Sequence, residues 1–204
     1  DKTGTLTQNV MTVTRTWVDG VEVHVSGSGY DAQGGFEVGG KPIDIKEYPG
    51  LSTALWVGVL NNDAMLEKSG DNGKSSYRII GDPTEGSILV AAAKAGIVQE
   101  NLNTAYPREQ EIPFDSARKR MVTIHEIENP KAEDSSPIYD QTHADWYAIA
   151  VKGAPDVVLR LCTHYQTIDD KEQPMDEAAR KRVLDANDAM TKDALRVLGL
   201  AYRL

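Results

Sequence analysis

The sequence is poor in cysteine: Cys162 is the only one among 204 residues. An internal disulfide is thereby excluded, as is a zinc site built on several thiolates. A reducing compartment is the natural reading. Histidine is scarce, and His24, His125, His143 and His164 are scattered without ligand spacing. No apolar run approaches the ~20 residues a membrane helix needs; residues 54–60 and 88–93 are among the longest. This stretch is therefore not expected to cross or touch a bilayer. Basic charge is in deficit, with 22 Lys plus Arg against 31 Asp plus Glu, a net charge of −9. That balance argues against nucleic acid or an anionic membrane as partner. It leaves room for a phosphate ligand, which answers to a few local cations. An internal repeat, an initiating Met and a signal peptide are lacking too. With a motif already running at Asp1, the sequence reads as a piece of a longer chain.

What is present suits a soluble globular fold: 40% of residues are apolar and 26% charged. The length fits one domain, with or without a small appendage, and allows roughly 70% of the unfolded surface to be buried. Residues 11–18 and 21–25 alternate or are β-branched around Asp19-Gly20, a strong hairpin signal. Residues 26–40 read as a Gly- and Ser-rich loop with a short strand at Phe36–Val38. Residues 52–68 carry Leu55, Val59 and Leu66 at broadly helical spacing, and 71–76 form a loop. Asp82-Pro83-Thr84-Glu85 looks like a helix start, with Asp82 as cap and Glu85 where a capping box wants an acid. That helix runs to about Lys94 and stops at Gly96. Strands are expected over 109–114, 119–127, 146–152 and 195–202, and helices over 154–161 and 176–193. The last helix has Ala179, Val183, Ala186 and Met190 on one face. Residues 128–144 read as a polar surface loop. Antiparallel hairpins interleaved with helices give an α+β fold.

Five strings stand out as candidate chemistry. Asp1-Lys2-Thr3-Gly4-Thr5-Leu6-Thr7 offers a carboxylate that can accept a phosphoryl group if its charge is offset, as Lys2 and a bound magnesium ion would do. In Gly81-Asp82-Pro83-Thr84-Glu85-Gly86, Glu85 is either a capping-box acid or a ligand acceptor. In Pro113–Met121, a four-residue connection pairs Phe114 with Lys119, placing an aromatic plate beside an ammonium group. That suits a purine with a phosphate tail; the alternative is a core Phe114 and a solvated Lys119. Lys152-Gly153-Ala154-Pro155-Asp156 sets a lysine at a strand end before a helix N-terminus, either a site of positive potential or a plain turn. Arg196, in Leu195-Arg196-Val197-Leu198, is a lone cation in an apolar strand, usually an edge or ion-pair residue.

In this order the five strings resemble the signatures of P-type ATPases, most closely the calcium-pump and related cation-pump branch. The resemblance implies Asp1 as phosphoryl acceptor, supported by Lys2 and Thr3, with Asp1 and Thr3 contributing to a magnesium site left incomplete here. It implies Glu85 as acceptor for the adenine amino group, Phe114 as the stacking aromatic and Lys119 as a nucleotide-binding lysine. Lys152, followed by Gly153, takes the base of the adenine pocket, and Arg196 reaches the phosphates or ribose. Ser116 departs from calcium-pump members with an Arg there, so that a phosphate contact is either missing or supplied by Arg118. Residues 1–9 would then belong to a phosphorylation domain, and 10–204 to a nucleotide-binding domain. That domain would be a twisted antiparallel sheet of about six or seven strands flanked by helices. ATP and Mg2+ are the implied cofactors, the phosphorylation and actuator domains of the same pump the implied partners, and the cytoplasmic face of a membrane the implied location. The later Thr-Gly-Asp and Gly-Asp-Gly-x-x-Asn-Asp motifs are not in this sequence. Two other readings stay open: a soluble phosphohydrolase of the haloacid-dehalogenase type, for which Thr3 stands where a second acid belongs, and an ATP-binding module without chemistry.

Overall fold

The centre of the fold is a helix apolar all round. α1 (Pro49–Leu60) starts with Pro49 in its first turn and buries Leu51, Leu55, Trp56, Val57, Val59 and Leu60. A helix with no polar face must be enclosed, and this one is, in the computed structural model that describes residues 10–69, 76–128, 130 and 145–204. Trp56 meets Tyr106 and Tyr202 edge-on, with ring centroids 5.4 and 5.7 Å away. The helix stops at Asn61 rather than running to 68 as expected. The Asn62 side chain donates to the Gly58 carbonyl and accepts from the Ala64 N–H, competing with the helical ladder. The chain then turns into β5 (Met65–Ser69), paired with β6 (Ser76–Ile80).

Before α1 lies a four-strand meander: β1 (Arg15–Val18), β2 (Val21–Val25), β3 (Phe36–Val38) and β4 (Lys41–Ile43). Asp19 and Gly20 both have positive φ, 49° and 84°, as the expected two-residue hairpin requires. Gly39-Gly40 repeats the device at the β3–β4 turn, within the stretch expected to be mostly loop. Between them, Ser26 closes the Gly-rich loop by exchanging two hydrogen bonds with Gly35.

The second four-stranded sheet has the order β12-β9-β8-β7, from β7 (Arg108–Asp115), β8 (Arg120–Glu126), β9 (Tyr147–Gly153) and β12 (Gly199–Arg203). Along β8 and β9, alternate residues Met121, Thr123, His125, Ala148, Ala150 and Lys152 are buried. Asn61, at the end of α1, reaches this face and donates to the carbonyls of Met121 and Ala150. β12 starts at Gly199, later than the expected 195, because Ala194 adopts φ 61° after α5 (Glu177–Lys192) and the Leu195 N–H closes that helix on Met190.

The remaining elements are α2 (Pro83–Lys94), capped by Asp82, α3 (Gln99–Ala105), α4 (Pro155–Leu161) and the hairpin of β10 (His164–Gln166) with β11 (Glu172–Pro174). α3 and the β10–β11 hairpin were not legible in the sequence. That hairpin docks on the start of α1: the Gly50 N–H meets the Ile168 carbonyl at 2.9 Å, and Thr53 Oγ1 donates to Asp170 Oδ1 at 2.7 Å. The architecture is α+β and antiparallel, as expected. Among the described residues its ladders divide into two sheets of four strands and two hairpins.

Candidate functional site

The turn after α1 brings together most of the polar side chains that converge on one place. Lys152, at the end of β9, is 7% exposed and enters from the buried face of its sheet. Its Nζ donates to the Asn61 carbonyl at 2.5 Å and to Glu85 Oε1 at 2.6 Å. Burial pushes the Lys152 ammonium below its usual range, and the Glu85 carboxylate pulls it back. The other Glu85 oxygen accepts the Asp63 N–H at 3.1 Å, and its backbone carbonyl accepts the Asn62 side chain. The capping box is therefore not formed. Asp82 alone caps α2, accepting from the N–H groups of Thr84 and Glu85, and the Glu85 side chain turns to Lys152.

Arg108, at the start of β7, completes the turn. Its Nη1 donates to Asp63 at 2.6 Å and Glu111 at 2.8 Å; its Nη2 donates to the carbonyls of Leu60 at 3.2 Å and Asn62 at 2.7 Å. The three successive carbonyls of residues 60–62 thus face cationic side chains, which suits the negative end of a helix. Neither Arg108 nor Asn61-Asn62-Asp63 was singled out from the sequence. The one available signal was the run of Asn and Asp, which ends helices.

Phe114 and Lys119 do not form the closing pair expected of them. The pair that closes the hairpin is Asp115 with Arg120. Asp115 Oδ1 accepts the N–H groups of Ala117 and Arg118, which starts the turn one residue later, and Lys119 occupies a left-handed position at φ 51°. Lys119 is exposed within the turn, its N–H bonded to the Asp115 carbonyl. The register jumps between Ile112 and Asp115, so Pro113 and Phe114 together oppose Met121, which in turn pairs with Lys152. A bulge of this kind re-aims a side chain. Phe114 stands two strands from Lys152, ~10 Å at ordinary strand spacing, and is 63% exposed.

Arg118 stays on the hairpin tip, exposed, donating to the Pro113 carbonyl. Gly153 is buried where β9 crosses the Lys119–Arg120 turn; a Cβ there would press on the Lys119 carbonyl and lie 2.8 Å from the Arg120 Cα. Its place is thus fixed by close backbone approach. Arg196 lies outside β12 and is exposed, and its Nη1 donates to Thr84 Oγ1 at 3.1 Å, one residue from Glu85. The structure therefore gathers Glu85, Lys152 and Arg196 around the start of α2, with Phe114 across the sheet and Arg118 and Lys119 at the hairpin tip.

Asp1, Lys2 and Thr3 lie outside the described residues. Among the described residues no three His, Cys, Asp or Glu side chains converge as metal ligands. No helix of the described residues is long and apolar enough to cross a membrane. An adjoining apolar trough of about 1520 Å3 runs between β1, α1, α4, α5 and β12. It is lined by Thr84 and Arg196 but not by Glu85, Phe114, Lys119 or Lys152. The buried ion pair that can orient a polar ligand belongs to the cluster rather than to the trough.

Residues 50–204 match the family described as P-type ATPase, cytoplasmic domain N. Over 204 residues the chain is 36% identical to a calcium-transporting ATPase of Bacillus subtilis (strain 168), covering 100% of this chain and 21% of that protein. It is 36% identical over 199 residues to a probable cation-transporting ATPase F of Mycobacterium tuberculosis, covering 97% of this chain and 19% of that protein. It is 34% identical over 204 residues to the human calcium-transporting ATPase type 2C member 2, covering 98% of this chain and 19% of that protein. The chain spans about a fifth of the length of these relatives.

Proposed function

The chain belongs to the P-type ATPases, matching their cytoplasmic domain N, and on that premise we propose that it is the ATP-holding part of a cation pump, calcium first. In the whole pump, ATP held here would deliver its γ-phosphoryl group to Asp1. The resulting aspartyl phosphate would drive a cation through membrane helices outside this chain. Residues 1–9 would belong to the phosphorylation domain and 10–204 to the nucleotide-binding domain, on the cytoplasmic face of the membrane. Mg2+ would offset the charge of the transferring phosphoryl group.

The observation that carries this reading is the 2.6 Å pair of a buried Lys152 with a part-buried Glu85, two strands from an exposed Phe114. Each part has a task toward an adenine nucleotide. Phe114 offers a face for the base, and an aromatic left in water gains by stacking. Glu85 keeps acceptor capacity beyond its two present partners, since a carboxylate offers about four lone-pair sites. The adenine amino group can fill one of them. A guanine would present a carbonyl to the same carboxylate and be repelled, so the site favours ATP over GTP. Lys152 holds Glu85 in place and lends positive potential to the pocket floor. Arg196 and Lys119, both exposed, supply cations for the phosphate tail.

Phe114→Ala tests the reading. The wild-type chain should bind ATP weakly, on the order of 1 mM, because phosphorylation-domain groups would hold part of the triphosphate. The variant should lose roughly 1–3 kcal/mol of that binding, read by titration calorimetry, with its thermal unfolding unchanged. A folded variant that binds ATP as well as wild type would remove Phe114 from the site.

A further inference from the structure

We propose that Arg108 is a positioning residue for the adenine acceptor: it fixes the Asn61–Asp63 turn so that Glu85 presents a fixed carboxylate to the base. The inference rests on the nucleotide reading above and adds a residue with no assigned role.

Arg108 is half-buried, its side chain 27% exposed. Its guanidinium serves four acceptors at once, the carboxylates of Asp63 and Glu111 and the carbonyls of Leu60 and Asn62. A planar fork with five donors suits this task, and an ammonium does not match it. The fork grips the turn from the outside by Asp63 and from below by two backbone carbonyls. Within that turn, the Asp63 N–H holds Glu85 Oε2. The Asn62 side chain holds the Glu85 backbone carbonyl at 3.0 Å. The Asn61 carbonyl holds Lys152, whose ammonium holds Glu85 Oε1. Glu85 is thus fixed by three consecutive residues of the turn, two directly and one through Lys152. All three belong to the segment that Arg108 clasps.

Without the clasp, the Asp63 N–H loses its fixed direction, and the Glu85 carboxylate can rotate about its own axis toward Lys152. Two effects follow, of opposite sign for two nucleotides. The adenine amino group loses an aimed acceptor, so ATP binds less well. The guanine carbonyl no longer faces a fixed negative charge, so GTP is rejected less. A residue that merely stabilised the fold would alter both affinities alike through the folded fraction. The ratio of the two affinities therefore separates a positioning role from a structural one.

The experiment measures ATP and GTP binding to the 204-residue chain by titration, for wild type, Arg108→Lys, Arg108→Gln and Glu85→Gln, with circular dichroism and thermal unfolding as folding checks. Arg108→Lys keeps the charge but cannot serve four acceptors, and is the variant expected to stay folded if Arg108→Gln does not. The ATP-over-GTP preference should fall about tenfold in the folded Arg108 variants, the worth of one misaligned hydrogen bond to a charged group. It should fall at least as far in Glu85→Gln. A preference unchanged in Arg108→Lys while Glu85→Gln abolishes it overturns the positioning role and leaves the nucleotide reading standing. A preference unchanged in Glu85→Gln, or absent from wild type, overturns the assignment of Glu85 and this inference with it.

Discussion

The two ends of α1 are held in contrasting ways. At the N-terminal end the β10–β11 hairpin closes over the first turn through the Gly50 N–H and Thr53, and Asp170 gathers donors from Thr53 and Gln166. Gln166 is in turn held by the Tyr202 hydroxyl. Both side-chain donors on Asp170 are neutral. At the C-terminal end the carbonyls of residues 60–62 meet Lys152 and Arg108, and those cations also hold Glu85, Asp63 and Glu111. Both ends match the helix dipole, a carboxylate at the start and cations at the finish. The difference is that Asp170 takes its side-chain donors from neutral groups, whereas Glu85, 16% exposed, is paired with the buried Lys152 ammonium. Neutral donors tie a hairpin to a helix end, and an ion pair with one partner still reachable can also meet a polar ligand.

That contrast can be broken from the C-terminal side. Lys152→Met should give the largest change, about 3 kcal/mol of lost stability, because it strands a largely buried Glu85 without its counter-charge. Nucleotide binding should fall with it. Urea unfolding followed by tryptophan fluorescence would check the first part, and a stability within 0.5 kcal/mol of wild type would show that the pair is neutral to the fold. Working from the N-terminal side, Thr53→Val should remove about 1 kcal/mol and leave the ATP-over-GTP preference untouched. A changed preference there would mean that the two ends are coupled through the helix.

The smallest effect concerns pH. His125 is 1% exposed, and its Nδ1 sits 2.9 Å from the Tyr106 carbonyl, which can only accept. Nε2 must then accept from the Thr123 hydroxyl at 2.9 Å, while that hydroxyl receives the Asn61 amide. The chain of donors is complete with a neutral ring. Burial accordingly holds the His125 pKa below the ordinary 6.5. A depressed histidine pKa means that the unfolded chain takes up the proton first as pH drops. Stability from this group is fully present above pH 6.5 and is lost progressively below it. The urea midpoint of wild type should fall between pH 7 and 5 more steeply than that of His125→Gln; parallel slopes would assign the acid sensitivity elsewhere.

Local signals were legible where the chemistry is local. Asp19-Gly20 needs only its own two backbone conformations to make a hairpin, and Asp82-Pro83 with Gly96 brackets α2 without outside help. Glu85 shows the limit. Its sequence neighbours offer it a capping role, yet its side-chain partner Lys152 lies 67 residues later. Arg108 was silent because its backbone acceptors stand 46 and 48 residues earlier in the chain. The reading of 52–68 as one helix failed because Leu66 keeps helical spacing by coincidence, while Asn62 spends its side chain on the bonds that end the helix. The pairing of Phe114 with Lys119 failed at one residue, Asp115, whose carboxylate captures the turn and shifts the register.

The enclosure of α1 also sets a schedule for the chain's synthesis. Its apolar surface faces β9, and its ends wait for Lys152, 91 residues beyond Asn61, and for Asp170, 117 residues beyond Thr53. A ribosome adding roughly 5–20 residues per second leaves a helix with no polar side waiting on the order of ten seconds for its cover. For that interval α1 stands open to wrong partners, and a chaperone that binds apolar segments would find it there. A ribosome-stalled chain ending near residue 145 should therefore be captured by such a chaperone through α1, and one extended past residue 204 should be released.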